Sequence, residues 1–169
     1  KDHPQRLRSA VLLAGAGSTT SVLRATVAME QELIARLGHI PPATAAFQTL
    51  LTGLAPSVLC ADSDQVRDWV DLAALQAVWT SPEGEVGQAA AAAGWAHDGE
   101  RLARLRDIKV PVLVVAFEHD PMFPPTTSRV AVGHLPSGEF VQVDGAGHAG
   151  LMTHPAQTAD AILHFLNRS

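Results

Sequence analysis

A single cysteine stands among the 169 residues. The chain therefore has no internal disulfide framework and fits a reducing, cytoplasmic setting. That residue, Cys60 in "SVLCADS", has no basic neighbour and reads as a small buried hydrophobe. Positive charge is scarce as well: 12 lysines and arginines face 17 acids, a formal charge of −5. With no basic cluster there is no nucleic-acid footprint. No apolar run approaches the roughly 18 residues that would cross a bilayer. "SAVLLAGAG" is too short, and begins too late, to read as a signal peptide. Histidines 119, 134, 148 and 154 match no zinc-ligand spacing, and "GAGST" at 15–19 lacks the rest of a phosphate-binding fingerprint. No metal and no cofactor are expected.

What is present is apolar. Hydrophobic residues make up 47% and charged ones 17%, which excludes a disordered segment and provides for one domain with a real core. Three runs read as strands: "SAVLLAG" (9–15), "VPVLVVAF" (110–117) and "EFVQVD" (139–144). The first two are nearly continuously apolar, as strands covered on both faces are. "PPTTSRVAVGHLP" reads as a helix between the second and third strands. "THPAQTADAILHFLNRS" reads as a helix after the third, N-capped by Thr153, with Ala161, Ile162, Phe165 and Leu166 inward. Strand, helix, strand, helix is the pattern of an open parallel α/β sheet.

The stretch from 18 to 106 differs, reading as helices at 20–38, 41–55, 63–79, 81–95 and 98–108. Ser81-Pro82-Glu83 is a helix start, Gly38 a helix stop, and Asp62 with Gln65 resembles a capping box. The division expected is a core strand segment at 1–17, a helical cap at 18–106 over one edge of the sheet, and an α/β core at 107–169. Trp69, Trp79 and Trp95 fall in the cap, where packing is their default role and an apolar pocket wall their alternative.

Asp120 lies just past the end of the second strand and His148 just past the third. Side chains there converge on the ligand crevice of an open α/β sheet. An acid can hold an imidazole in one tautomer, and the imidazole can then act as general base and acid. Glycines at 145, 147 and 150 would keep the histidine turn open to substrate. Asp120 before a proline also suits a plain turn opener. Asp144 is the rival acid, and Glu118 and His119 read as solvent-facing. His154 before Pro155 is structural or pocket-lining. Met122, Phe123, Leu151 and Met152, flanking the two candidates, and Trp79 in the cap are the expected substrate-binding residues.

These segments resemble a known family. "VPVLVVAFEHDPMFPP" is similar to the strand and turn carrying the triad acid of α/β-hydrolases, and "VQVDGAGHAGLMTHP" to their histidine loop. "HPQRLRSAVLLAGAG" resembles the strand after the nucleophile-bearing helix, and the helical middle matches the lid. The texture is similar to the haloperoxidase-like, proline-iminopeptidase-like and methylesterase-like subgroups. The resemblance implies Asp120 as the acid, His148 as the base, and cleavage of an ester, thioester or amide of a hydrophobic substrate. It equally implies the family's non-hydrolytic variants: cyclase, lyase, haloperoxidase-like enzyme or ligand-binding pseudo-enzyme.

The family's nucleophile elbow, G-x-S-x-G, is missing. None of the nine serines sits in such a motif. The oxyanion-hole loop is missing too. The chain opens on Lys1 and reads as a cleaved or split half, the missing N-terminal half-chain being its expected partner. Alone, "SAVLLAG" would be an unprotected apolar edge.

Overall fold

The computed structural model describes residues 6–15, 17–61, 63–76 and 81–168. Three short strands, β1 (Ala10–Leu13), β2 (Val112–Phe117) and β3 (Gly138–Val143), form one parallel sheet in that order. The register sets Ala10 beside Val112 and Val112 beside Gly138. All six residues of β2 are buried, as its unbroken apolar run requires of a strand covered on both faces. Alternation along the strand divides them. Leu113, Val115 and Phe117 pack with Val143 and Phe165, while Val112 and Val114 pack with Ala131 and Leu135.

Helices α1 (Ser21–Leu37), α2 (Pro42–Gly53), α3 (Pro56–Cys60), α4 (Asp64–Gln76) and α5 (Pro82–His97) fill the stretch between β1 and β2. Among the described residues that stretch holds no strand. Three helix ends follow from sequence chemistry. Thr20 Oγ1 accepts the Leu23 N–H at 3.0 Å, Ser81 Oγ accepts that of Gly84 at 3.0 Å, and Gly38 closes α1 at φ 79°. Thr20 also donates to the Met122 carbonyl at 3.2 Å, tying α1 to the turn after β2. Thr20→Ala removes both bonds and is expected to lower stability by about 1–2 kcal/mol, read from the midpoint of urea unfolding.

Helices α6 (Pro125–Val132), α7 (Gly150–Thr153) and α8 (Pro155–Leu166) complete the chain. No helix among the described residues is long and apolar enough to cross a membrane.

Several expectations are corrected. Cys60 is exposed, because α3 is a single short surface helix with none of its residues buried. Thr153 ends α7 and does not cap α8; the cap position falls to His154, since Pro155 occupies the first turn of α8. Phe165 is buried but Leu166 is exposed. The stretch 98–108 forms only a 3-10 helix over Ala103–Asp107. There the ion pair with Arg104 holds the Asp98 carboxyl below its usual value. Arg101 instead lies 3.8 Å above the Trp95 ring and donates to the carbonyls of Trp95 and Gly17, each at 2.7 Å. Burial pulls its guanidinium below its ordinary value, with Asp98 opposing. The proposed box at Asp62 and the side chain of Trp79 lie outside the described residues.

Candidate active site

The turn after β2 presents Asp120, whose backbone N–H donates to the Phe117 carbonyl at 3.1 Å. The residue as a whole is 2% exposed. Oδ1 accepts the N–H groups of Met122 at 2.8 Å and Phe123 at 2.9 Å, and Oδ2 lies 2.8 Å from Nδ1 of His148. A buried carboxylate that accepts at every contact leaves Nδ1 only the donor role. In the neutral imidazole, Nε2 then carries the free lone pair. The acid orients the ring and leaves its far nitrogen basic. The ring is stacked on Phe123, centroids 5.9 Å apart at 26°, and Phe123 in turn meets Trp95 edge-on at 5.5 Å. His148 keeps 36% side-chain exposure, against 0% for Asp120.

Backbone contacts fix the histidine loop on the core side. Glu118 Oε2 accepts the Gly145 N–H at 2.8 Å, and the His119 N–H donates to the Ala146 carbonyl at 2.8 Å. Glu118 is thus not merely solvent-facing: it clamps the turn where Gly145 takes φ 74°. Asp144, the rival acid, accepts instead from Gln142 Nε2 at 2.8 Å. His154 bonds Thr153 Oγ1 through Nδ1 at 2.9 Å and lines a small cavity behind the loop with Leu54, Ala55 and Val58.

Gly147 and Gly150 serve close packing, while Gly145 supplies the left-handed turn. A Cβ at Gly150 would stand 2.1 Å from Cδ1 of Phe117. Gly150→Ala therefore forces that buried ring aside and is expected to cost about 1–3 kcal/mol by overpacking, seen as a lower thermal midpoint.

Helices between β1 and β2 meet the turn that follows β2. Met122 and Phe123 pack against Leu23, Val27, Ala93 and Ala96 of α1 and α5. Leu151 and Met152, on α7, are 51% and 54% exposed. Sequence reasoning missed an apolar cavity of about 350 Å³ between α1 and α2, walled by Val22, Met29, Phe47, Leu51, Thr52 and Pro121. The signal was present in Phe47 and Leu51, one helical turn apart on α2.

A family model of the alpha/beta hydrolase fold matches residues 1–155. The chain belongs to that family. The Mycobacterium tuberculosis protein BpoC, named as a candidate non-heme bromoperoxidase, is 29% identical over 162 residues, 96% of this chain and 60% of its own length. Its crystal structure is similar at a TM-score of 0.82 and 28% identity, covering 98% of this chain and 59% of that one. A thermophilic esterase from Thermogutta terrifontis shares the fold at a TM-score of 0.71 and 23% identity, over 98% of this chain and 58% of that one. This alpha/beta hydrolase chain thus spans 60% of the length of its curated relative. A part of α/β-hydrolase architecture, with acid and histidine at adjacent strand ends, is what the described residues contain.

Proposed function

We propose that this chain supplies the acid and base of a serine-type hydrolase whose nucleophile lies outside these 169 residues, on a partner half-chain with the elbow and oxyanion hole. The reading rests on one observation: the buried Asp120 carboxylate holds Nδ1 of His148 at 2.8 Å, at the ends of neighbouring strands. His148 Nε2 takes the hydroxyl proton as the serine oxygen attacks the substrate carbonyl, then passes it to the departing alcohol, thiol or amine. Water, deprotonated by the same nitrogen, attacks the acyl-enzyme, and the proton returns to the serine as the acid leaves. The substrate is a hydrophobic ester, thioester or amide, met by Met122 and Phe123 near the histidine and by the apolar residues of a cap spanning 18–106. Leu151, Met152 and Trp79 complete the substrate-facing set, and the enzyme is cytoplasmic. The free edge of β1, which lacks a second strand among the described residues, is where the partner's sheet continues.

The alternative reading, a non-hydrolytic member of the same fold, is favoured by the name of its M. tuberculosis relative. Native mass spectrometry followed by denaturing intact mass tests the partner, and p-nitrophenyl ester hydrolysis tests the chemistry. A second polypeptide containing G-x-S-x-G, with ester turnover, is the expected result. Bromination without ester hydrolysis selects the alternative. A folded, inactive monomer overturns the hydrolase reading and selects the ligand-binding pseudo-enzyme among the alternatives.

A further inference from the structure

Two amides of the histidine loop reach across to the cap. The His148 N–H donates to the Thr52 carbonyl at 3.0 Å, and that of Ala149 to the Gly53 carbonyl at 3.1 Å. Both carbonyls belong to the last turn of α2, where helix carbonyls lack an intrahelical partner. At the same place the two backbones nearly touch: a Cβ on Gly147 would stand 2.5 Å from the Gly53 oxygen and 2.7 Å from the Leu54 carbonyl carbon. Gly147 is not among the residues of positive φ, so close approach alone demands glycine there. The same turn of α2 lines the apolar cavity, which Pro121, the residue after Asp120, also lines. One cavity therefore borders the supports of both the acid and the histidine.

Resting on the hydrolase reading above, we propose that the last turn of α2 positions His148, and that an apolar acyl or alkyl chain lodged between α1 and α2 sets turnover through that turn. Two hydrogen bonds and a contact without room for a methyl group leave no slack, so the turn cannot shift without carrying the loop. Phe47 and Leu51, at the cavity, are 62% and 49% exposed. That apolar surface is what a saturated chain would cover. Thr52 and Gly53 are positioning residues, acting through their main chain and touching no reacting atom.

The test compares p-nitrophenyl acetate with p-nitrophenyl hexanoate in the assembled enzyme. Gly147→Ala is expected to lower kcat roughly 10²-fold for both esters with KM near wild type, the scale of a misplacement of about 1 Å. Leu51→Ala is expected to erase the kcat advantage of hexanoate over acetate. Gly94→Ala, with open space around the added methyl, is expected to behave as wild type. A Gly147→Ala effect confined to KM, or an unchanged hexanoate-to-acetate kcat ratio in Leu51→Ala, overturns the proposal. Should Gly147→Ala not fold, that ratio decides, because Leu51 is half-exposed. Amide hydrogen exchange at His148 and Ala149 reads the contact without turnover: protection in wild type and its loss in Gly147→Ala are expected. If wild type hydrolyses neither ester, the hydrolase reading fails by itself; persistent protection in Gly147→Ala then overturns the positioning role.

Discussion

His148→Ala is expected to abolish ester turnover by the assembled enzyme, lowering kcat by roughly 10⁶-fold, the scale known for removing the histidine of a serine triad. The size of the effect follows from the site's chemistry. Nε2 of His148 is the basic atom that Asp120 orients, and in the proposed mechanism the same nitrogen accepts the nucleophile's proton and returns it to the leaving group. Asp144 is engaged by Gln142, and Glu118 by the backbone of Gly145. The imidazole is partly exposed, so its removal leaves a shallow gap and not a collapsed core. Native mass spectrometry should show assembly intact beside the lost rate. Retained hydrolysis of an activated ester would place the base elsewhere.

Asp120→Asn is expected to lower kcat by roughly 10⁴-fold with the fold preserved, as the equivalent change does in a serine protease. The hydrogen bonds say why. The Met122 and Phe123 N–H groups both point at Oδ1, so the amide oxygen of asparagine must take that position. Its NH₂ then faces Nδ1 of His148 as a donor, and the ring answers by carrying its proton on Nε2. The base is lost although every heavy atom stays in place. Nitrogen NMR of the imidazole checks the tautomer directly, and steady-state kinetics check the rate. A near-wild-type kcat would remove Asp120 from the mechanism.

The pair itself was legible in the sequence because chemistry marked it: an acid and a histidine, each one short turn past an apolar run. The three strands, the stop of α1 and the start of α5 were legible for the same kind of reason, since Gly, Ser and Pro at helix ends have definite conformational and hydrogen-bonding roles. The supports of the histidine were not. Thr52 and Gly53 contribute carbonyl oxygens, which every residue possesses, and Gly147 and Gly150 are small because of what lies opposite them in space. Glu118 looked like a surface acid because its partner, the Gly145 amide, belongs to a different strand's loop. Cys60 and Leu166 were misplaced because apolar character alone does not say which face of a short helix turns inward. The cavity between α1 and α2 went unread because its walls come from two helices whose relative placement no local pattern encodes.

The parallel register of β1 with β2 carries a consequence for how this molecule assembles. Ala10 lies beside Val112, and helices α1 to α5 intervene in the chain, whereas β2 and β3 are joined through α6 alone. Closing the longer loop costs more entropy, about 0.6 kcal/mol for each doubling of its length, and distant pairings form slowly. The β2-α6-β3-α8 segment can therefore condense first, bringing Asp120 and His148 to neighbouring strand ends early. β1 then joins a sheet already in place. Helical ordering of α1 to α5 is expected to shorten the span between β1 and β2, so residues remote from any chemistry would set how quickly β1 is captured.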